Sequence, residues 1–256
     1  MAKYFVFGAL NTMREEKVEI KTADGVADAF VYAPDAQGPL PAVLYYPDGI
    51  GIRPAFHEMA KRLAGEGYVV LLPNIYYRTT TGPFFDFPLD FNDPKTRARF
   101  AELSGPLTPD AMERDALSYL EFLGQRPDVN GRMGVVGYCL TGRMAMRTAA
   151  VAPDRILAAA AFHGGGLYAE DSTSPHVALP HIKARLLFGH AENDQSMPAE
   201  AIAKFEAALK EWGGTFESET YPAKHGWCVP GGEVYDEAQA EKHYAKLKGL
   251  FADTLR

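Results

Sequence analysis

The chain has 256 residues, 47% of them hydrophobic and 23% charged, with a net charge of −7. This is the make-up of one large globular α/β unit, not of a fibrous or disordered chain. No Lys/Arg-rich run offers a phosphate track for nucleic acid, and the longest apolar run, Ile156 to Phe162, is far too short to cross a bilayer.

At the N-terminus, MAKYFVFGALNTM carries one lysine, a minimal apolar stretch and a poor cleavage site. It reads as a leader over residues 1–15, expected to be disordered, or as a start upstream of Met13, and not as a secretory signal. KVEIKT and ADAFVYA flank Asp24-Gly25 and read as a hairpin. AVLYYPDG is a buried strand running into a loop, and AFHEMAKRLAGEG is an amphipathic helix ending at glycine. YVVLLP is the next strand. Thr108 to Gly124 follows as a helix, with Thr108 as its cap and Pro109 in the first turn. RMGVVG, ILAAAAF, ARLLFG and TFESETY are further strands. Between and after them, helices are predicted over Leu140–Ala152, Pro198–Trp212 and Glu233–Leu255. Apolar strands alternating with helices predict a mostly parallel sheet covered on both faces. Residues 16–256 therefore read as one α/β domain. Arg78 to Leu107 shows neither pattern, and its prolines and phenylalanines mark a lid or pocket loop. A surface excursion plugging its own small core is the competing reading.

In parallel sheets, reactive groups gather beyond the carboxyl ends of the strands. Cys139 follows RMGVVGY and opens a helix, the strand–turn–helix context of a nucleophile elbow. Gly137 leaves room for the strand to approach the helix. A helix N-terminus favours thiolate over thiol, and the Leu140 amide is placed to meet a developing oxyanion. Asp194 lies past the strand ending at Gly189, with Glu192 as a rival carboxylate, and His225 lies past the strand ending at Tyr221. Each alone is weak: a loop aspartate is usually a cap, and a lone histidine is usually packing. Nucleophile, acid and histidine at three successive strand ends, in that order, match an α/β-hydrolase.

The segments GYCLTG, GHAENDQSMP and KHGW, with YYPDGIG upstream, resemble the dienelactone hydrolase family of α/β-hydrolases. The resemblance runs from about Glu16 to the C-terminus. It implies an ester- or lactone-cleaving enzyme of the carboxymethylenebutenolidase type, with Cys139 as nucleophile, His225 as base and Asp194 as orienting acid. It further implies that Asp48 takes the place of the family's acidic residue, gating the thiol, and that an amide near Gly49 joins Leu140 in the oxyanion hole. Two departures stand out. Thr141 occupies the family's second elbow glycine, where a β-branched chain is stiff. After His225 there is no arginine before Arg256, so binding of a substrate carboxylate would fall to Arg78, Arg97 or Arg99.

Tyr76, Tyr77, Phe84, Arg97, Arg99, His163 and Trp227 are further pocket candidates. Wall packing competes for one of the two tyrosines, and a hydrogen-bonded structural role competes for His163. FHGGGLY lacks dinucleotide spacing. Without HExxH or CxxC, no metal and no cofactor are expected. Cys228 reads as a buried filler. Two cysteines make no disulfide framework, so the expected setting is the cytoplasm. The expected partner is a small ester or lactone, with neither nucleic acid nor membrane, and the chain is expected to be a monomer or small homo-oligomer. The competing functions are a carboxylesterase or thioesterase for hydrophobic acyl groups, and a non-catalytic hydrolase-fold binding protein or redox-responsive thiol protein.

Overall fold

The structure, a computed structural model, describes residues 12–256, so most of the expected leader lies outside the described residues. Its last residues do not belong to a leader. Strand β1 spans Met13–Thr22 and pairs antiparallel with β2, Gly25–Pro34, from Met13↔Pro34 down to Thr22↔Gly25. The hairpin therefore turns at the predicted Asp24-Gly25, and the ladder runs three residues beyond the expected domain start.

Strand β3 (Leu40–Tyr45) leads to helix α1 (Pro54–Gly65) and strand β4 (Val69–Pro73). After α2 (Pro94–Ser104) and α3 (Pro109–Gly124) come β5 (Val129–Tyr138), α4 (Gly142–Val151) and β6 (Ile156–Phe162). Strand β7 (Arg185–Ala191), helix α5 (Ala199–Trp212), strand β8 (Phe216–Tyr221) and helix α6 (Glu237–Leu255) complete the chain. The eight strands are ordered β1-β2-β4-β3-β5-β6-β7-β8, parallel from β4 to β8 and antiparallel at β1/β2 and β2/β4.

Two apolar cores sandwich the sheet, as continuous apolar strands require. Alternate residues of β3 show the division: Leu44 faces one core with Tyr119 of α3 and Met144 of α4, and Val43 faces the other with Phe56 of α1 and Phe251 of α6. On α6 the buried Leu247, Leu250, Phe251 and Leu255 stabilise the second face by roughly 1.5–3 kcal/mol each.

Several predicted boundaries move. A 3₁₀ turn, Cys139–Thr141, precedes α4, so the α-helix begins at Gly142 and not Leu140. Helix α6 starts at Glu237 because Asp236 caps it, accepting from the Gln239 amide at 3.0 Å. Inside the segment 78–107 lies an unpredicted helix, α2. It buries only Thr96 and Leu103, which leaves little apolar periodicity to read, and Asp93 caps it by accepting from the Lys95 amide.

Candidate active site

Adjacent strands β3, β5, β6, β7 and β8 each deliver a residue at the carboxyl end: Asp48, Cys139, His163, Asp194 and His225 respectively. The elbow is built from the backbone upward. Cys139 has φ of 55°, an unusual left-handed value for a non-glycine residue, held by the tight strand-to-helix turn. A Cβ at position 137 would meet the Thr141 carbonyl oxygen at 2.2 Å, so glycine is obligatory there. Thr141 has its own use in this elbow. Its fully buried hydroxyl accepts from the Tyr138 amide at 2.8 Å and donates to the Pro47 carbonyl at 2.7 Å. The β-branched residue thereby ties the nucleophile turn to the loop after β3.

That loop carries Gly49, the expected second amide donor. Ile50 N–H donates to Asp48 Oδ1 and Gly51 N–H to the Asp48 carbonyl, while Tyr76 Oη donates to the Gly49 carbonyl at 2.8 Å and orients the peptide. A Cβ on Gly49 would lie 3.5 Å from Leu140 Cβ, so the two predicted oxyanion residues are neighbours.

His225 Nδ1 lies 2.6 Å from Asp194 Oδ2, and Asp194 Oδ1 accepts from the Ser196 amide at 2.8 Å and its hydroxyl at 2.6 Å. Glu192, the rival carboxylate, is exposed. Burial raises Asp194, but the bonds from His225 and Ser196 prevail and hold it down at about 2. Burial likewise opposes charge on His225, yet bonds to Asp194 and Cys139 lift it to about 10. Both neighbours favour the protonated imidazole. Cys139 Sγ and ring nitrogens of His225 and His163 all lie within 4.8 Å of one another.

These groups open onto a cavity of about 710 Å³ with an apolar wall that includes Ile50, Leu89, Phe91, Phe100, Val229 and Val234. Among the described residues, its only lysine or arginine is Arg53. Sequence reasoning missed this residue. Its guanidinium forks onto Asp48 at 2.6 and 2.7 Å, and a cation five residues after the loop acid was the available signal. The expected carboxylate binders lie elsewhere. Arg78 pairs with Asp24 and Asp115, Arg97 donates to the Phe91 and Asn92 carbonyls, and Arg99 donates to the Phe84 carbonyl. None of the three lines the cavity. The polar heads of all three are used by their own surroundings.

The other pocket candidates divide. His163 lines the cavity and is buried, and among the described residues neither ring nitrogen has a hydrogen-bond partner. That removes the hydrogen-bonded structural reading. Tyr76 supports the oxyanion loop from beneath. Tyr77 is bonded to Asp115 and Thr22, a wall residue away from the cavity. Phe84 packs edge-on to Tyr76 and lines a neighbouring hollow instead. Trp227 is fully buried, stacked on Tyr221 and edge-on to His163, so it backs the histidine without reaching the cavity. Cys228 is buried, as a filler would be. Among the described residues, no helix is long and apolar enough to cross a membrane.

A mostly parallel sheet with an elbow cysteine, a loop acid and a late histidine at successive strand ends defines an α/β-hydrolase. The profile of the dienelactone hydrolase family matches residues 27–255, and the chain belongs to that family, hydrolases of ester and lactone bonds in small molecules. It is 26% identical to carboxymethylenebutenolidase 1 of Cupriavidus pinatubonensis, over 94% of this chain and 97% of that one. It is 27% identical to the carboxymethylenebutenolidase of Pseudomonas putida, over 73% and 75%. A candidate dienelactone hydrolase from Klebsiella pneumoniae superposes with a TM-score of 0.84 at 23% identity, covering 94% of this chain and 99% of that one, which speaks to the fold.

Proposed function

We propose that the chain hydrolyses uncharged esters or lactones with an apolar body through an acyl-cysteine intermediate on Cys139. The observation that carries this reading is the meeting of Cys139 and His225 on the wall of an apolar cavity, with Asp194 bonded to His225 from behind. Cys139 Sγ attacks the carbonyl carbon, and the Leu140 and Gly49 amides receive the oxyanion. His225 gives its proton to the departing alkoxide and then takes one from the water that cleaves the thioester. Asp194 fixes the imidazole so that Nε2 faces the sulfur.

The lining supports an apolar substrate and, among the described residues, offers a substrate carboxylate no uncommitted arginine or lysine, because Arg53 is held by Asp48. This favours ester and thioester cleavage over the carboxylate-bearing lactones that gave the family its name. A binding-only role would leave the Asp194–His225 pair beside the thiol without a use. The free Cys139 and Cys228 support a reducing, cytoplasmic setting, and a cavity complete within one chain suits a monomer or small homo-oligomer. The test is a hydrolysis panel of short-chain esters, thioesters and neutral and acidic lactones, run beside Cys139→Ala. Turnover of the uncharged members by the wild type alone supports the reading, and equal turnover by Cys139→Ala overturns it.

A further inference from the structure

His163 is the residue the proposed hydrolysis leaves unused. Both its ring nitrogens are buried and, among the described residues, lack any hydrogen-bond partner, and leaving such bonds unmade is costly. Its backbone is also held at φ of 40°. The ring is fixed edge-on between His225, at 4.8 Å between centroids, and Trp227, at 5.4 Å. A stranded buried nitrogen calls for a partner that the protein chain itself does not supply.

The surroundings of that nitrogen narrow the choice of partner. It sits within 4.8 Å of Cys139 Sγ and of a ring nitrogen of His225, and it is buried. A bare cation bonded to all three needs less room than a water. Zinc bonds of about 2.0–2.1 Å to nitrogen and about 2.3 Å to sulfur place tetrahedral ligands roughly 3.3–3.6 Å apart. Contraction of about an ångström or a little more therefore closes the site. One imidazole is already prepared, because Asp194 holds His225 Nδ1 and leaves Nε2 for a metal, the carboxylate–histidine–metal arrangement of a built site. The fourth position opens onto the cavity.

We propose that Cys139 Sγ, His225 Nε2 and a ring nitrogen of His163 form a binding site for a zinc-class divalent ion, which competes with substrate for the nucleophile. The identity of two of its ligands rests on the proposed hydrolytic site. Binding forms one metal–sulfur and two metal–nitrogen bonds and releases to solvent the proton that the thiol and His225 share. No group is oxidised or reduced. The expectation of no metal rested on local spacing, and three ligands from three strand ends leave no such spacing.

The test titrates chelator-treated full-length protein with Co²⁺ and follows its visible and near-ultraviolet absorption. The expected result is one equivalent bound, with tetrahedral ligand-field bands and a thiolate charge-transfer band, both removed by Zn²⁺. His163→Asn tolerates the left-handed backbone but is too short to reach, and it should weaken binding roughly tenfold or more. Zn²⁺ should also protect Cys139 from iodoacetamide in the wild type. No spectral change up to millimolar Co²⁺, or equal affinity in wild type and a folded His163→Asn, overturns the proposal. The spectra need no turnover, so failure of the ester panel and failure of the metal site are read separately.

Discussion

Arg53 closes a two-pronged ion pair onto Asp48, at 2.6 and 2.7 Å, on the wall of the cavity that holds Cys139. A bare carboxylate there would repel a thiolate, and the guanidinium cancels most of that charge. The pair, and not Asp48 alone, is therefore what this wall of the cavity presents. Arg53→Met should slow alkylation of Cys139 by iodoacetamide and Asp48→Asn should speed it, each by up to about tenfold. Both variants should slow ester turnover, since each disturbs the Gly49 loop. Unchanged alkylation and turnover in both would leave Asp48 as a turn residue tethered to a helix cap.

The orienting acid is tested by contrast. Asp194→Asn removes the acceptor that fixes His225 and should cost on the order of 10⁴-fold in kcat. Glu192→Gln, at an exposed position of the same loop, should stay near wild type. Comparable losses from both would show that the loop, and not one carboxylate, carries the effect.

The Asp194–His225 pair gives a pH dependence in chelator-treated protein. His225 is raised from its ordinary 6.5 to about 10, so its contribution to stability is complete below 6.5 and fades as pH rises through 10. Asp194 is lowered from 3.8 to about 2, so its contribution is present above 3.8 and is lost as pH falls through 2. The melting temperature of wild type relative to His225→Gln should therefore fall steadily between those upper limits. A difference that stays constant across that range would contradict the pairing.

Substrate charge follows from where the arginines are spent. Arg97 and Arg99 hold carbonyls of their own segment, so Arg97→Ala and Arg99→Ala should not alter the ratio of kcat/KM for neutral over carboxylate-bearing lactones. The ratio itself should favour the neutral substrates. A strong carboxylate preference abolished by either variant would mean that the segment rearranges to bring the guanidinium inward.

Cys139, Asp194 and His225 were legible as a candidate triad because each follows a strand whose apolar run is easy to recognise and precedes a turn or helix signal. Gly137 was legible for the same reason, since a side chain there would run into the Thr141 carbonyl oxygen at 2.2 Å. Thr141 read as a departure because its use depends on a carbonyl from Pro47, far away in the chain. Arg53 escaped because a cation at the start of α1 looks like an ordinary solvated charge until the loop folds it back onto Asp48. For His163 the informative feature is the absence of partners, which no pattern of residues encodes. Helix α2 hid because it buries so little, although Asp93-Pro94 is a cap-and-first-turn pair.

The most direct measurement is intact-protein mass spectrometry after rapid quench with a p-nitrophenyl ester, followed by peptide mapping. The account predicts a transient mass increase equal to one acyl group, located on Cys139 and absent in Cys139→Ala. Cys228, buried in the apolar core, should remain unmodified. An acyl group carried on another residue, or steady hydrolysis by Cys139→Ala with no adduct, would contradict it.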